Sequence, residues 1–208
     1  MFKAKVLTAS CVMLGLLSGC NLLTPIAFLG PHQRKVAAEF DKLEGKRTLI
    51  MVWAEPETLF DYPHIRLELA TYIGDKLVAG LKACDLVDPR LVEDYLERTL
   101  DATFDPEKVG GQFDADAVLY VELLKFQIRD PYSPDLVRGQ VNSTVTVYDL
   151  RADPDETRVY VLQPVEVLCP KNQPLLMSPR NALLVRQQTY EQLAENVARK
   201  FYEHMVEL

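Results

Sequence analysis

The sequence is poor in cysteine, histidine and positive charge. Its 208 residues include 4 Cys and 3 His, and 23 Lys+Arg against 30 Asp+Glu give a net charge of −7. This acidic balance argues against a nucleic-acid partner, because phosphate recognition needs a concentrated basic surface. The 9 Gly and 13 Pro are too few for a collagenous or low-complexity chain. With 48% hydrophobic residues, the chain can instead build an ordinary folded core.

Motifs for catalysis and metal binding are also missing from the sequence. It contains no Gly-x-Ser-x-Gly elbow and no His-Glu-x-x-His helix. Neither Cys84 nor Cys169 has a Cys-x-x-Cys or His-rich spacing. His32, His64 and His204 fall in a predicted tether, a loop and the end of a helix. We therefore predict no catalytic residue, no cofactor and no metal site, and we expect that the protein is not an enzyme.

The first twenty residues carry an export signal. Lys3 and Lys5 precede an apolar run, Val6–Leu17, that is too short to span a bilayer. The run ends in Leu17-Ser18-Gly19-Cys20, which resembles the bacterial lipoprotein signal. The resemblance implies cleavage before Cys20 and acyl chains, such as palmitate, on its sulfur and amine. The alternative is an ordinary secretory peptide with an incidental Cys, which is disfavoured because no A-x-A-like cleavage site lies nearby.

These features predict three segments: a signal peptide over 1–19, a lipid-anchored tether over 20–45 and a single domain over 46–208. More than one acyl chain gives stable anchoring to a membrane. In lipoproteins an Asp after the acylated Cys usually favours the inner membrane, and this chain has Asn21 there. We therefore expect a location in the bacterial cell envelope, with the outer membrane facing the periplasm favoured over the inner membrane.

Cys84 and Cys169 remain after processing, because Cys11 leaves with the signal and Cys20 is acylated. An even pair in an oxidising compartment is a disulfide candidate. The alternative is two free thiols that pack as small hydrophobic groups.

Apolar periodicity predicts strands and helices in the order strand, helix, short strand, two helices, three strands and helix. We also expect a brief helix before Gly45, through Val36 and Leu43. Three Asp-Pro or Ser-Pro pairs have the pattern of helix starts, with an N-cap followed by Pro at the first helical position: Asp88-Pro89, Asp105-Pro106 and Ser178-Pro179. The predicted strands are Thr48–Trp53, Leu86–Val87, Ala117–Ile128, Val141–Tyr148 and Arg158–Cys169. Pro164 in the last of these predicts an edge or a bulge.

This order predicts an α+β fold with a mixed, mostly antiparallel sheet and helices packed mainly on one face. It begins with a βαβ unit, continues as a β-meander and ends in a long closing helix.

A short segment gives a family resemblance. Phe113-Asp114-Ala115-Asp116-Ala117-Val118-Leu119-Tyr120-Val121 leads from a short helix into the long central strand. Together with the signal and the order of elements, it is similar to a group of bacterial envelope lipoproteins. The group includes the curli secretion-channel lipoprotein, the penicillin-binding-protein activator lipoproteins and the amino-terminal domain of the Tol translocation protein. The resemblance implies a protein that acts by contact, and the chain has no long insertion that could form the hairpins of a pore.

The segment Glu55–His64 is the candidate contact loop, with Glu57, Phe60, Tyr62 and His64 as its candidate residues. It mixes acids with aromatic rings between a strand and a long helix, a composition found in interfaces. The competing interpretation is that both rings fold back onto the helix start. We expect a lipid-anchored envelope accessory protein that contacts an envelope protein through this loop or a sheet edge. The alternative is a carrier lipoprotein that holds a lipid or another apolar ligand between sheet and helices.

Overall fold

A computed structural model of the chain describes residues 33–99, 105–153, 156–162 and 164–207. The predicted signal peptide, Cys20 and His32 lie outside the described residues. A large compact unit spans Ala37–His204, and residues 33–36 and 205–207 belong to a separate small unit.

The structure contains nine strands and five helices in its described part. The strands are β1 (Gln33–Val36), β2 (Arg47–Ala54), β3 (Asp85–Leu86), β4 (Ala117–Arg129), β5 (Leu136–Asp149), β6 (Arg158–Val161), β7 (Val165–Cys169), β8 (Leu175–Leu176) and β9 (His204–Glu207). The helices are α1 (Pro56–Asp61), α2 (Ile65–Gly80), α3 (Pro89–Arg98), α4 (Pro106–Gln112) and α5 (Pro179–Ala198).

Strands β2 to β8 form the main sheet, and β1 pairs with β9 in a separate two-stranded sheet. The main sheet has the order β3-β2-β4-β5, and β6, β7 and β8 all pair with β5. Strand β2 runs parallel to β3 and β4, whereas every pairing of β5 is antiparallel. The predicted α+β class, the βαβ start and the meander are confirmed.

Helices cover the two faces of the sheet unequally. Strand β2 is apolar throughout because its side chains alternate between two buried clusters. Ile50 and Val52 face the long helices α2 and α5, while Leu49 and Met51 face the shorter α3 and α4. The larger cluster contains the buried hydrophobic residues of the two long helices. This agrees with the prediction that helices pack mainly on one face. Among the described residues, no helix has both the length and the apolar character needed to cross a membrane.

Three helices begin at the predicted caps. The Asp88 side chain accepts a hydrogen bond from the Arg90 N–H, and Asp105 accepts from two N–H groups of α4. Ser178 accepts from the Asn181 N–H at the start of α5. Each cap satisfies backbone donors that have no partner inside the helix.

Several predicted boundaries differ from the structure. Arg158–Cys169 is two strands, β6 and β7, because the chain breaks around Pro164, which has no N–H for a ladder. Residues 33–44 form no helix; Leu43 lies in a turn and Phe40 in an irregular segment, and both are buried in the larger core cluster. The compact unit therefore begins at Ala37, inside the predicted tether. Helix α5 ends at Ala198, earlier than the predicted closing helix.

The two cysteines are free thiols, not a disulfide. Cys84 directly precedes β3 at one edge of the sheet, and Cys169 ends β7 on the far side of β5. Four strand spacings, from β3 through β2, β4 and β5 to β7, amount to about 19 Å. A disulfide needs Cα atoms within roughly 7 Å, so the order of the strands keeps this pair apart.

Candidate functional site

The predicted contact loop is mostly the short helix α1. Glu57 lies exposed in its first turn, and His64 is the exposed N-cap residue of α2. Phe60 points into solvent, whereas Tyr62 is half-buried. The two rings therefore divide between the two interpretations: Tyr62 folds back, and Phe60 stays available for contact.

Tyr62 is fixed against the core by aromatic packing. Its ring meets Phe126 of β4 edge to face, with centroids 4.8 Å apart, and Phe126 lies 5.5 Å from Tyr190 of α5. Burial raises the pKa of the Tyr62 hydroxyl, and the Ile128 backbone opposes part of that rise. Because these rings come from a connecting segment, a strand and a helix, they tie α1 to the sheet and to α5.

The β4–β5 turn lies at the same end of the sheet and presents a second exposed ring. The Asp130 N–H donates to the Leu136 carbonyl (3.1 Å), and the Tyr132 N–H donates to the Asp130 carboxylate (3.0 Å). Arg138 holds the same carboxylate at 3.8 Å. The turn is thus fixed by its own hydrogen bonds while the Tyr132 side chain projects outward.

Strand β8 and the start of α5 complete this end. The Met177 N–H donates to the Asp135 carbonyl (2.7 Å), and the Asn181 side-chain amide donates to the Leu176 carbonyl (2.8 Å). These bonds join the β4–β5 turn, β8 and α5, so the apolar side chains between them are held on a rigid base.

We call the result the hairpin-end surface and define it by Phe60, Tyr132, Leu176, Met177 and Leu183. Phe60 is 86% exposed, Tyr132 94%, Leu176 73% and Leu183 49%. Single exposed apolar residues are common, but a cluster of them marks an interaction site.

A groove of about 340 Å³ opens within this surface, between the ends of β4 and β5 and the first turns of α5. We call it the arginine groove. Ile128, Val137, Met177, Ala182 and Leu183 form its apolar lining. Tyr62, Arg129 and Arg186 are the polar and charged residues of its lining.

The residue types of the site are those of a binding surface. The described residues contain no group of three or more His, Cys, Asp or Glu that could hold a metal ion. Aromatic, Met and Arg side chains are the residue types enriched in the centres of protein interfaces. The arrangement can bury apolar groups and fix a negative charge.

The sequence reasoning found Phe60 and Tyr62 but missed the rest of this surface. One signal was the apolar run Leu175-Leu176-Met177 directly before the Ser178-Pro179 cap. The other was Tyr132, which stands between Pro131 and Pro134 in a turn and so cannot enter a regular strand. No local pattern marks Arg129 and Arg186 as neighbours.

Comparison with known proteins yields only distant structural similarity. No family model matches the chain, and a search of curated proteins finds no match. The fold is similar to the PelC dodecamer from Paraburkholderia phytofirmans, with a TM-score of 0.44 and 10% identity, over 82% of this chain and 98% of that chain. It is also similar to lipoprotein GNA1162 from Neisseria meningitidis, with a TM-score of 0.40 and 13% identity, over 73% of this chain and 98% of that chain. Similarity at this distance assigns neither a family nor a function. The resemblance to the curli, activator and Tol proteins stays a prediction.

Proposed function

We propose that this protein is a lipid-anchored accessory protein of the bacterial cell envelope that binds another envelope protein through the hairpin-end surface. The observation that carries the proposal is a groove lined by Met177 and Leu183. Three further exposed apolar residues, Phe60, Tyr132 and Leu176, each stand within three positions of a lining residue in the sequence. Exposed apolar side chains grouped in this way lose contact with water when a partner covers them, which favours association.

The anchor part of the proposal rests on the sequence Leu17-Ser18-Gly19-Cys20, outside the described residues. Acylation at Cys20 would tether an acidic body to a membrane. Because the body is acidic, it gains nothing from anionic lipid headgroups.

The edge of the main sheet that is formed by β6, β7 and β8 is a poorer contact site than the hairpin-end surface. Its strands β6, β7 and β8 are short, and Pro164 and Pro170 stand at their breaks. Short edge strands interrupted by proline discourage pairing with a further strand. The contact therefore falls to side chains rather than to the backbone of an edge.

The competing function is a carrier that holds an apolar ligand between the sheet and the long helices. That space contains Ile73, Leu119 and Leu193, each fully buried within one core cluster. Because buried side chains occupy these positions, contact at the surface is favoured over carriage of a ligand inside.

Site-specific photo-crosslinking in cells tests the proposal. A photoreactive amino acid is placed at Phe60 or Tyr132 of the full chain, with Val78 and Leu91 as matched controls. The two controls are each 55% exposed but lie on α2 and α3. We expect one discrete protein adduct from Phe60 and Tyr132 and none from the controls. Equal labelling at all four positions, or none, would overturn the contact at this surface.

Mass spectrometry of the membrane-extracted protein tests the anchor. We expect a mature chain that begins at Cys20 and carries acyl chains on that residue. Cys20→Ser should leave the protein unacylated and abolish its membrane fraction. An unmodified chain that still carries residues 1–19 would contradict the anchor without bearing on the contact surface.

A further inference from the structure

The arginine groove combines an apolar lining with two arginines that have no ion pair within the described part of the chain. No carboxylate of the described chain lies within 4.0 Å of the Arg129 or Arg186 guanidinium. Some other arginines of the described chain are paired closely, as in Arg66–Glu93 and Arg151–Asp116, both at 2.6 Å, whereas Arg158 on β6 is not. In a protein with 30 Asp+Glu, two arginines that line one groove and have no carboxylate partner in the described chain favour an external anion there.

The acids nearest to the groove do not neutralise these cations. Asp61 borders the adjoining hollow beside Tyr62, and Glu68 lies near Tyr190. Neither carboxylate forms an ion pair with Arg129 or Arg186. The planar guanidinium donates two parallel hydrogen bonds to a carboxylate or a phosphate. We take the anion to be a carboxylate, because the apolar lining beside the arginines suits the apolar side chains of a peptide end.

The size of the groove limits the apolar part of the occupant. Its volume of about 340 Å³ is roughly twice the 150 Å³ of an apolar cavity that holds benzene. That volume holds one or two apolar side chains rather than a whole phospholipid. The exposed Phe60, Tyr132 and Leu176 stand close in the sequence to lining residues of the groove. They offer further apolar contact to an occupant that is longer than a single amphiphile.

We infer that the arginine groove binds an apolar peptide segment that ends in a free carboxylate, supplied by the protein partner. Arg129 and Arg186 hold the carboxylate, and the lining from Ile128 to Leu183 takes the last apolar side chains. The inference rests on the proposed function and deepens it, because it gives the chemistry of the partner at this surface.

Peptide binding to the unacylated chain, residues 21–208, tests the inference. All the buried core residues of the described part lie between Phe40 and Phe201, so this form carries the whole core. The probe is a fluorescent pool of pentapeptides whose last three residues are Leu, Val or Phe, with a free carboxyl terminus. The matched pool has the same sequences with a terminal amide, and decanoate serves as a non-peptide competitor.

We expect the free-acid pool to bind at least about tenfold more tightly than the amide pool, from charge-assisted hydrogen bonds to the arginines. The double variant Arg129→Ala, Arg186→Ala should abolish that difference, and the Lys double variant should keep part of it. Arg158→Ala is the matched control, because Arg158 is an exposed arginine on β6 that has no ion pair among the described residues. This variant should bind as the wild type does.

Three results would overturn the inference. Equal binding of acid and amide pools would exclude a carboxylate site, and no binding of either pool would exclude a peptide site. Binding of decanoate more tightly than the acid pool would replace the peptide by a free amphiphile. None of these results alters the crosslinks from Phe60 and Tyr132, so failure of the inference is distinguishable from failure of the proposed function.

Discussion

Tyr62 packs edge to face on Phe126 with ring centroids 4.8 Å apart. Two residues earlier, Phe60 has no such packing and is exposed. One short segment thus carries a ring that stabilises the fold and a ring that is free to meet a partner. The difference allows stability and binding to be separated by single substitutions.

Tyr62→Ala should destabilise the protein, and Phe60→Ala should not. Loss of the Tyr62 ring removes an aromatic pair and leaves a cavity beside Phe126, at a cost of about 2 kcal/mol. Phe60→Ala alters a solvent-exposed position and should change stability by less than about 0.5 kcal/mol. Urea unfolding of both variants measures the difference. A destabilised Phe60→Ala variant would show that this ring also packs on the body.

Gly139→Ala should destabilise the contact between β5 and α5. A Cβ at Gly139 would overlap the Thr189 hydroxyl and lie 2.9 Å from the Thr189 Cβ. Thr189 cannot move easily, because its hydroxyl donates to the Val185 carbonyl at 2.6 Å inside α5. We expect a loss of about 2 kcal/mol, a fall of roughly 4–8 °C in Tm.

Two further variants test the cause of that loss. Gly111→Ala is the matched control, because a Cβ there meets nothing within 4 Å, and it should stabilise α4 by up to about 1 kcal/mol. Thr189→Ala in the Gly139→Ala background should recover part of the loss, since it removes the overlapping hydroxyl. A Gly139→Ala protein that melts with the wild type would disprove the close approach.

Asp116→Asn should make the stability of the protein less dependent on pH in the acidic range. The hydrogen bond from the Arg47 N–H (2.9 Å) and the adjacent Arg151 guanidinium lower the pKa of the Asp116 carboxyl in the folded state. A lowered carboxyl pKa stabilises the fold fully above about pH 4, and the stabilisation is lost as the pH falls through the folded pKa. The wild type should therefore be more stable than Asp116→Asn at pH 7, and the gap should close toward pH 2–3.

Thermal unfolding at a series of pH values measures that gap. Asp75→Asn is the control, since the Asp75 side chain is exposed and forms no hydrogen bond or ion pair in the described part of the chain. Its gap to the wild type should stay near zero throughout. A gap for Asp116→Asn that is the same at pH 7 and pH 3 would show that the hydrogen bonds, not the charge, stabilise this corner.

Both thiols of residues 21–208 should titrate as free cysteines. The structure separates Cys84 from Cys169 by the width of the sheet, so oxidation within one molecule cannot join them. Burial raises the pKa of both thiols, which slows their reaction in the folded state. Thiol counting should give two per chain after denaturation, and reductant should leave Tm unchanged. A count of zero in a monomer would require a different strand order.

Local chemistry made much of the fold predictable. Strand β2 is visible as an uninterrupted apolar run because both of its faces are buried. Helices α3, α4 and α5 are visible at their starts, because the Asp or Ser cap and the following Pro act within one turn. These signals depend on neighbours in the sequence alone.

The elements that escaped prediction depend on distant partners. Strands β1 and β9 pair across almost the whole described chain, and a four-residue strand has little pattern of its own. Phe40 and Leu43 have helical spacing, yet they are buried in the core without belonging to a helix. The arginine groove joins Tyr62, Arg129 and Arg186, which only the folded sheet brings together. A site whose residues come from three distant segments has no characteristic residue spacing in the sequence.

Strand β5 pairs with four other strands: β4 pairs with one of its edges, and β6, β7 and β8 pair with the other. Any local opening that frees β5 must break all of these ladders together. Its central amides should consequently exchange with solvent only through global unfolding, and they should be the most protected in the molecule. The short outer strands can detach singly, so the kinetic weak points of this protein should lie at the rim of the sheet.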